Sequence, residues 1–213
     1  MIDPTRAKLL DAAGQVFAEH GYRAATVREI CSRAGANVAA VNYYFGDKME
    51  LYGEVLRQAV FAAHDAPMRE ALASAKPEDA LRRAVRYMLG KLCGAGRPSW
   101  TMRLMAHEMS QPTQALEHVV DEIISPNYTM LRRIIGQMLD LPPDHEKTRF
   151  CAHSVIGQVL HYAQSRPVIA RLWAGLEMNE EGLDRIAQHI ADFSLAYLRS
   201  YPKAHKPGRK THE

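Results

Sequence analysis

The stretch FAEHGYRAATVREICSRAGANVAAVNYYFGDKMELY, residues 17–52, decides the fold. Thr26, followed three residues later by Glu29, has the spacing of a capping box; Val27 and Ile30 supply the apolar side of a short helix, and Gly35 stops it. Asn37 is placed to cap a second short helix that runs through Phe45. Upstream, Asp3 and Pro4 read as the N-cap and first residue of a longer helix. Its apolar face carries Leu9, Ala13, Val16, Phe17 and His20 until Gly21 ends it. Downstream, Gly46, Asp47 and Glu50 restart the pattern for a helix with Tyr52, Val55, Leu56 and Ala59. Two short helices joined by a glycine-containing turn, held between two longer ones, read as a helix-turn-helix. In that motif the second short helix enters the major groove of DNA while the first crosses the backbone.

The candidate recognition helix runs from Val38 to Tyr44. Val38, Ala39 and Ala40 are slender enough to let its backbone approach base edges, and they offer apolar contact to a thymine methyl. Asn42 is the clear base-edge hydrogen-bonder. Tyr43, Tyr44 and Lys48, with Thr26 and Arg28 on the preceding helix, suit phosphates, which accept hydrogen bonds from hydroxyls, cations and helix N-termini. With Asn37 at the helix start, these residues form the expected DNA surface. A plainer reading stands beside it, in which Val41, Tyr44 and Phe45 seal a small helical core.

From Ala12 to Tyr52 the chain resembles the DNA-binding domain of TetR-family regulators. Their pattern runs from a Phe-containing first helix through Thr, Ile, Ala-Gly and Tyr-Phe to Lys and Leu-Tyr. It departs at Asn42, often a tyrosine in such proteins, which exchanges a phosphate contact for base readout. The resemblance implies that the remaining chain is an all-helical domain that dimerises and usually binds a small effector. The implied function is a ligand-responsive repressor, released from a palindromic operator by a small molecule.

Composition agrees and removes other classes. The chain has 213 residues with 47% hydrophobic content, enough for a sizeable core. Lys203, Lys206, Arg209 and Lys210 against Glu213 account for the whole net charge of +3, so DNA affinity must come from local placement of charge. No apolar run approaches the roughly 18 residues needed to span a bilayer, and Asp3, Pro4 and Arg6 stand where a secretory signal would be apolar; a cytoplasmic protein is expected. Cys31, Cys93 and Cys151, odd in number and widely spaced, read as reduced, mostly buried thiols without a structural disulfide. His107-Glu108 lacks the second histidine of a zinc-protease motif, and no glycine-rich phosphate loop or GxSxG elbow occurs. Cys151 and His153, two apart, fall on different helix faces and do not form an ordinary metal site. No enzyme activity, cofactor or metal is expected.

The expected organisation is all-α. A helix-turn-helix domain over 1–50 continues through a linking helix over 47–64 into a helical effector-binding and dimerisation domain over 65–202, followed by a basic flexible tail over 203–213. After Pro77, Leu81, Ala84, Val85, Met88 and Leu92 share one helix face and Arg82, Arg83 and Arg86 the other. A long helical stretch from Thr113 to Leu139 is interrupted at Ser125-Pro126, where proline must kink or break it. The last two long helical patterns, 144–164 and 179–199, look apolar on more than one side. Val155, Gly157 and Val159 on the first, and Ile186, Ile190, Phe193 and Tyr197 on the second, are the expected interface of a homodimeric four-helix bundle; burial within one subunit is the alternative. PSWTMRLMAHEMSQPTQAL, residues 98–116, with Pro126 and Leu131, is similar to the C-terminal domain of the CecR (YbiH) subgroup, and His107 stands where that subgroup carries arginine.

An effector pocket is expected beside the break at Pro126. Trp100, Met105, Met130 and Phe150 would form adaptable apolar walls, and Arg103, His107, Tyr128 and His161 would orient polar groups. A dimeric architectural DNA-binding protein with no effector is the second reading. A polar-lined internal pocket would separate the two.

Overall fold

A computed structural model describes residues 3–60, 76–94 and 100–201, and all its regular elements are helical. The expected tail lies outside these residues, as do Pro98, Ser99 and positions 61–64 of the linking helix. In chain order the helices are α1 (Pro4–Ala24), α2 (Val27–Ala34), α3 (Val38–Phe45), α4 (Lys48–Val60), α5 (Pro77–Cys93), α6 (Thr101–Ser110) and α7 (Gln114–Val119). A π-helical turn (Val120–Ile124) follows, then α8 (Ser125–Leu139), α9 (Glu146–Gln164), α10 (Arg166–Leu172) and α11 (Glu180–Ser200). No described helix is long and apolar enough to cross a membrane.

Packing divides the described residues into two units, 3–60 with 100–127, and 76–94 with 128–201. The expected boundary near 65 lies outside the described residues. α6, α7 and the π-helical turn contribute Leu104, Ala115, Val119 and Ile123 to the core that holds Leu9, Phe17, Leu51 and Val55. Trp100 lies against α1 so closely that a Cβ at Gly14 would stand 2.2 Å from its ring, and its Nε1 donates to Asp11 at 3.1 Å.

Within this first unit the local signals operate as read. Asp3 accepts from the Thr5 amide at 2.8 Å with Pro4 opening α1, and Gly21 leaves helical geometry at φ +73°. Thr26 caps α2 through the Glu29 amide, and Gly35 ends it in the left-handed region at φ +64°, where a Cβ would be strained. Asn37 caps α3 through the Ala39 amide. The capping box is only half formed, because the Glu29 carboxylate turns to His20 at 3.2 Å and Arg33 at 3.5 Å.

In the second unit, α5, α9 and α11 pack around Leu81, Val85, Leu89, Ala152, Val155, Val159, Ile186 and Ile190. Arg82 reaches Asp192 at 2.7 Å and Arg86 pairs with Glu180 and Asp184, so these members of the basic face of α5 lean onto the acidic flank of α11. Cys31, Cys93 and Cys151 are buried and unpaired. At Pro126 the chain is not cut. The missing amide is absorbed by the π-helical turn just before it, with Ser125 N–H bonding back to Val120 and the Asn127 side chain donating to the Ile123 carbonyl at 2.9 Å.

Candidate nucleic-acid interface

α3 is eight residues long, and its inner face is fixed by two fully or nearly buried side chains, Val41 and Phe45. That orientation leaves Asn37, Val38, Ala39, Asn42 and Tyr43 exposed on the second short helix and its cap, and Thr26 and Arg28 exposed on the first. Thr26, Arg28, Ser32 and Arg33 also line an open depression beside α2. Thr26 accepts a backbone hydrogen bond but keeps its O–H free to donate, as a phosphate contact requires.

Two of the expected contacts are partly engaged inside the unit. Tyr44 is half-buried and donates to the Asp3 carboxylate at 2.6 Å, tying the end of α3 to the start of α1. That bond raises the Tyr44 phenol above its ordinary pKa and lowers Asp3. Its hydroxyl proton is therefore engaged within the fold. Lys48 is half-buried with its ammonium 4.6 Å from the centre of the Tyr22 ring, and burial lowers its pKa.

Behind this surface lies a feature the sequence did not disclose. Glu108 on α6 is fully buried and accepts three hydrogen bonds: from the Tyr52 hydroxyl of α4 at 2.5 Å, from the Thr113 amide at 2.7 Å and from the Thr113 hydroxyl at 3.0 Å. Burial, and then Glu108 itself, push the Tyr52 phenol far above its usual pKa. Tyr52 also stacks edge-on against Phe17, 4.8 Å between centroids, and lies 5.0 Å from Tyr22. A carboxylate in an apolar helical pattern was the available signal, but nothing in the sequence named its donor.

The eight expected pocket residues fall on both units, four on each. Trp100 packs in the core of the first unit, only 4% exposed. Met105 packs against the first core, Arg103 is exposed, and His107 faces Gly21, where a Cβ would come within 3.4 Å of its ring. In the second unit Tyr128 meets His153 at 3.1 Å, Met130 packs against the core, and Phe150 and His161 are exposed. The expected dimer residues separate just as clearly. Val155, Val159, Ile186 and Ile190 are buried inside the subunit's own core, the arrangement of the alternative reading. Gly157, Phe193 and Tyr197 are exposed.

Among the described residues, Glu19, His20 and Glu29 bring potential metal-ligand atoms within 4.8 Å of one another. The Arg33 guanidinium already pairs with both carboxylates, holding Glu19 below its ordinary pKa, so the group is an ion-pair cluster joining α1 to α2.

A capped two-helix reader with its polar and slender residues turned outward, braced by α1 and α4, defines a helix-turn-helix DNA-binding regulator. Residues 9–55 match the bacterial regulatory proteins of the tetR family, and residues 77–198 match the C-terminal domain of the HTH-type transcriptional dual regulator CecR. The chain belongs to the TetR family of transcriptional regulators and carries a CecR-type C-terminal domain. It is 27% identical over 199 residues to the CecR dual regulator of Shigella flexneri, covering 88% of each chain. It is 34% identical over 86 residues to the repressor NicS of Pseudomonas putida, covering 40% of this chain and 41% of NicS. The regulator FadR of Bacillus subtilis, solved in complex with stearoyl-CoA, shares the fold with a TM-score of 0.65 at 16% identity, over 89% of this chain and 97% of FadR. Such regulators are not enzymes.

Proposed function

We infer that this protein is a cytoplasmic repressor that holds a palindromic operator as a homodimer and is released by a small-molecule effector. The observation that carries the DNA half of this reading is the exposure of Thr26, Arg28, Asn37, Val38, Ala39, Asn42 and Tyr43 around the rigidly capped α2–α3 pair. In this reading Asn42 reads a base edge, Thr26, Arg28, Tyr43 and Lys48 hold phosphates, and the start of α3 approaches the groove floor.

The homodimer reading is supported by the outer faces of α9 and α11. Phe150, Phe193 and Tyr197 are 60%, 64% and 44% exposed and border a groove of about 410 Å³. The Ser194 hydroxyl at this groove is buried with no hydrogen-bond partner. A second copy would cover the aromatics and satisfy the hydroxyl. Gly157 leaves open space on the same helix, since a Cβ there would meet nothing within 4 Å.

The effector half rests on the CecR-type domain and on the Tyr52–Glu108 bond, which joins α6 and the start of α7 to the helix that follows α3. A ligand acts only if it binds one arrangement of the recognition helices better than the other. Selection of bound sequences from a random DNA pool, followed by a compound screen against the selected site, tests the whole reading. A palindromic consensus and a compound that lowers binding are expected. A site without two-fold symmetry overturns the dimeric reader, and a compound that only strengthens binding overturns release.

A further inference from the structure

We propose that the segment from Val168 to Trp173 is a second contact between two copies of this chain, an apolar arm that extends the α9–α11 dimer face. The inference rests on the homodimer reading given above and adds to it a surface that the sequence patterns did not mark. Residues 165–178 join α9 to α11, and α10 within them is a built element. Ile169 is buried beneath it, the Arg166 guanidinium donates to the Cys93 carbonyl of α5, and the Trp173 amide bonds to Ile169 at 2.7 Å. On this fixed base Val168, Leu172 and Trp173 are 55%, 83% and 58% exposed. Three large apolar side chains exposed within six residues of a fixed element are the kind of feature that marks an interaction site.

Area argues for a second copy as the occupant. Taking roughly 200 Å² for an aromatic side chain, the exposed parts of Phe150, Phe193 and Tyr197 amount to about 350 Å². A stable interface buries about 800 Å² on each partner, roughly 450–520 Å² of it apolar, which is more than these three side chains supply. Val168, Leu172 and Trp173 add a comparable apolar area. Their position fits as well. Lys147 near the start of α9 lies 4.9 Å from the Tyr197 ring near the end of α11, so the two helices run antiparallel and their aromatics cluster at one end of the hairpin. The arm closes the other end, and α9 between them is roughly 28 Å long. An apolar contact thus stands at each end of α9, which suits an isologous dimer in which both ends are used by both copies.

Sedimentation of the full chain across a dilution series, with acrylamide quenching of tryptophan emission, tests the arm. The two tryptophans separate by burial, Trp100 in a core and Trp173 exposed, so loss of quenching on association reports Trp173. Leu172→Glu and Trp173→Ala should each raise the dimer dissociation constant about tenfold or more with an unchanged circular-dichroism spectrum and melting temperature. Phe193→Glu should do the same independently. If Phe193→Glu weakens the dimer while both arm variants stay within about twofold of wild type, the arm inference falls and the α9–α11 reading stands. If Phe193→Glu has no effect on a dimer that persists, the face itself is misplaced and both fall.

Discussion

α3 and the α9–α11 pair present apolar residues in opposite ways. α3 buries two side chains, Val41 and Phe45, and turns the rest outward, so its inner and outer faces differ in chemistry. α9 and α11 bury a long apolar stripe inward and still carry Phe150, Phe193 and Tyr197 outward. In the first case periodicity identifies the working surface by elimination. In the second, both faces are apolar, the stronger stripe is taken by the subunit's own core, and what remains exposed is the weaker set of residues off the stripe.

The sharpest way to break that contrast is to charge each face of α11 in turn. Ile190→Asp places a carboxylate in the core and should destabilise the protein by more than about 4 kcal/mol, unfolding the second unit rather than merely separating subunits. Phe193→Asp, on the exposed face, should change stability by no more than about 0.5 kcal/mol yet yield a monomer. Thermal melts paired with sedimentation decide it; a folded, monomeric Ile190→Asp protein would return the stripe to the interface.

A smaller effect is expected at Tyr52. Tyr52→Phe removes one of the three donors to a buried carboxylate and should cost about 1–3 kcal/mol in chemical denaturation. It should also weaken any effector-induced change in DNA affinity, since the bond joins α6 to α4. Unaltered stability would mean that Glu108 is satisfied without its phenol partner.

On the DNA surface, Asn42→Ala should lose about 1–3 kcal/mol of discrimination at one base pair per half-site. Lys48→Ala should weaken operator and non-operator DNA alike and flatten the salt dependence by about one unit of slope. Titrations on a selected site and a scrambled one, at several salt concentrations, distinguish these outcomes. Loss of base discrimination in Lys48→Ala would exchange the two assignments.

The helix-turn-helix was legible because its determinants are local. Thr26, Gly35 and Asn37 act within four residues of themselves, and Val41 and Phe45 lie on the short helix they anchor. The all-helical remainder was legible for the same reason. What escaped was set by contacts distant in sequence: the Tyr52–Glu108 bond spans 56 positions, and Trp100 fits a gap left by Gly14. For Trp100 the sequence offers no distinction, because an aromatic beside methionines looks alike in a pocket wall and in a core. α10 escaped differently, since seven residues are too short for periodicity to register.

The last prediction concerns Tyr44, where the reading surface and the fold meet. Its hydroxyl donates to Asp3, which also caps α1, and that bond is the first cause of the lowered Asp3 pKa, followed by the Thr5 amide. A carboxylate whose folded pKa lies below its unfolded value stabilises the fold above the unfolded value. The contribution disappears as pH falls through the folded one. Tyr44→Phe should therefore lower stability slightly at neutral pH, and the gap from wild type should close in acid, below the ordinary aspartate pKa of 3.8. The group is exposed, so solvent keeps the effect small. Denaturation curves of both proteins from neutral pH down to about pH 3 test the sign. Because the Tyr44 hydroxyl is already bound, its loss should leave DNA affinity nearly unchanged, whereas Tyr43→Phe should weaken it. Equal loss of DNA binding in the two variants would show that Tyr44 leaves Asp3 to contact phosphate in the complex.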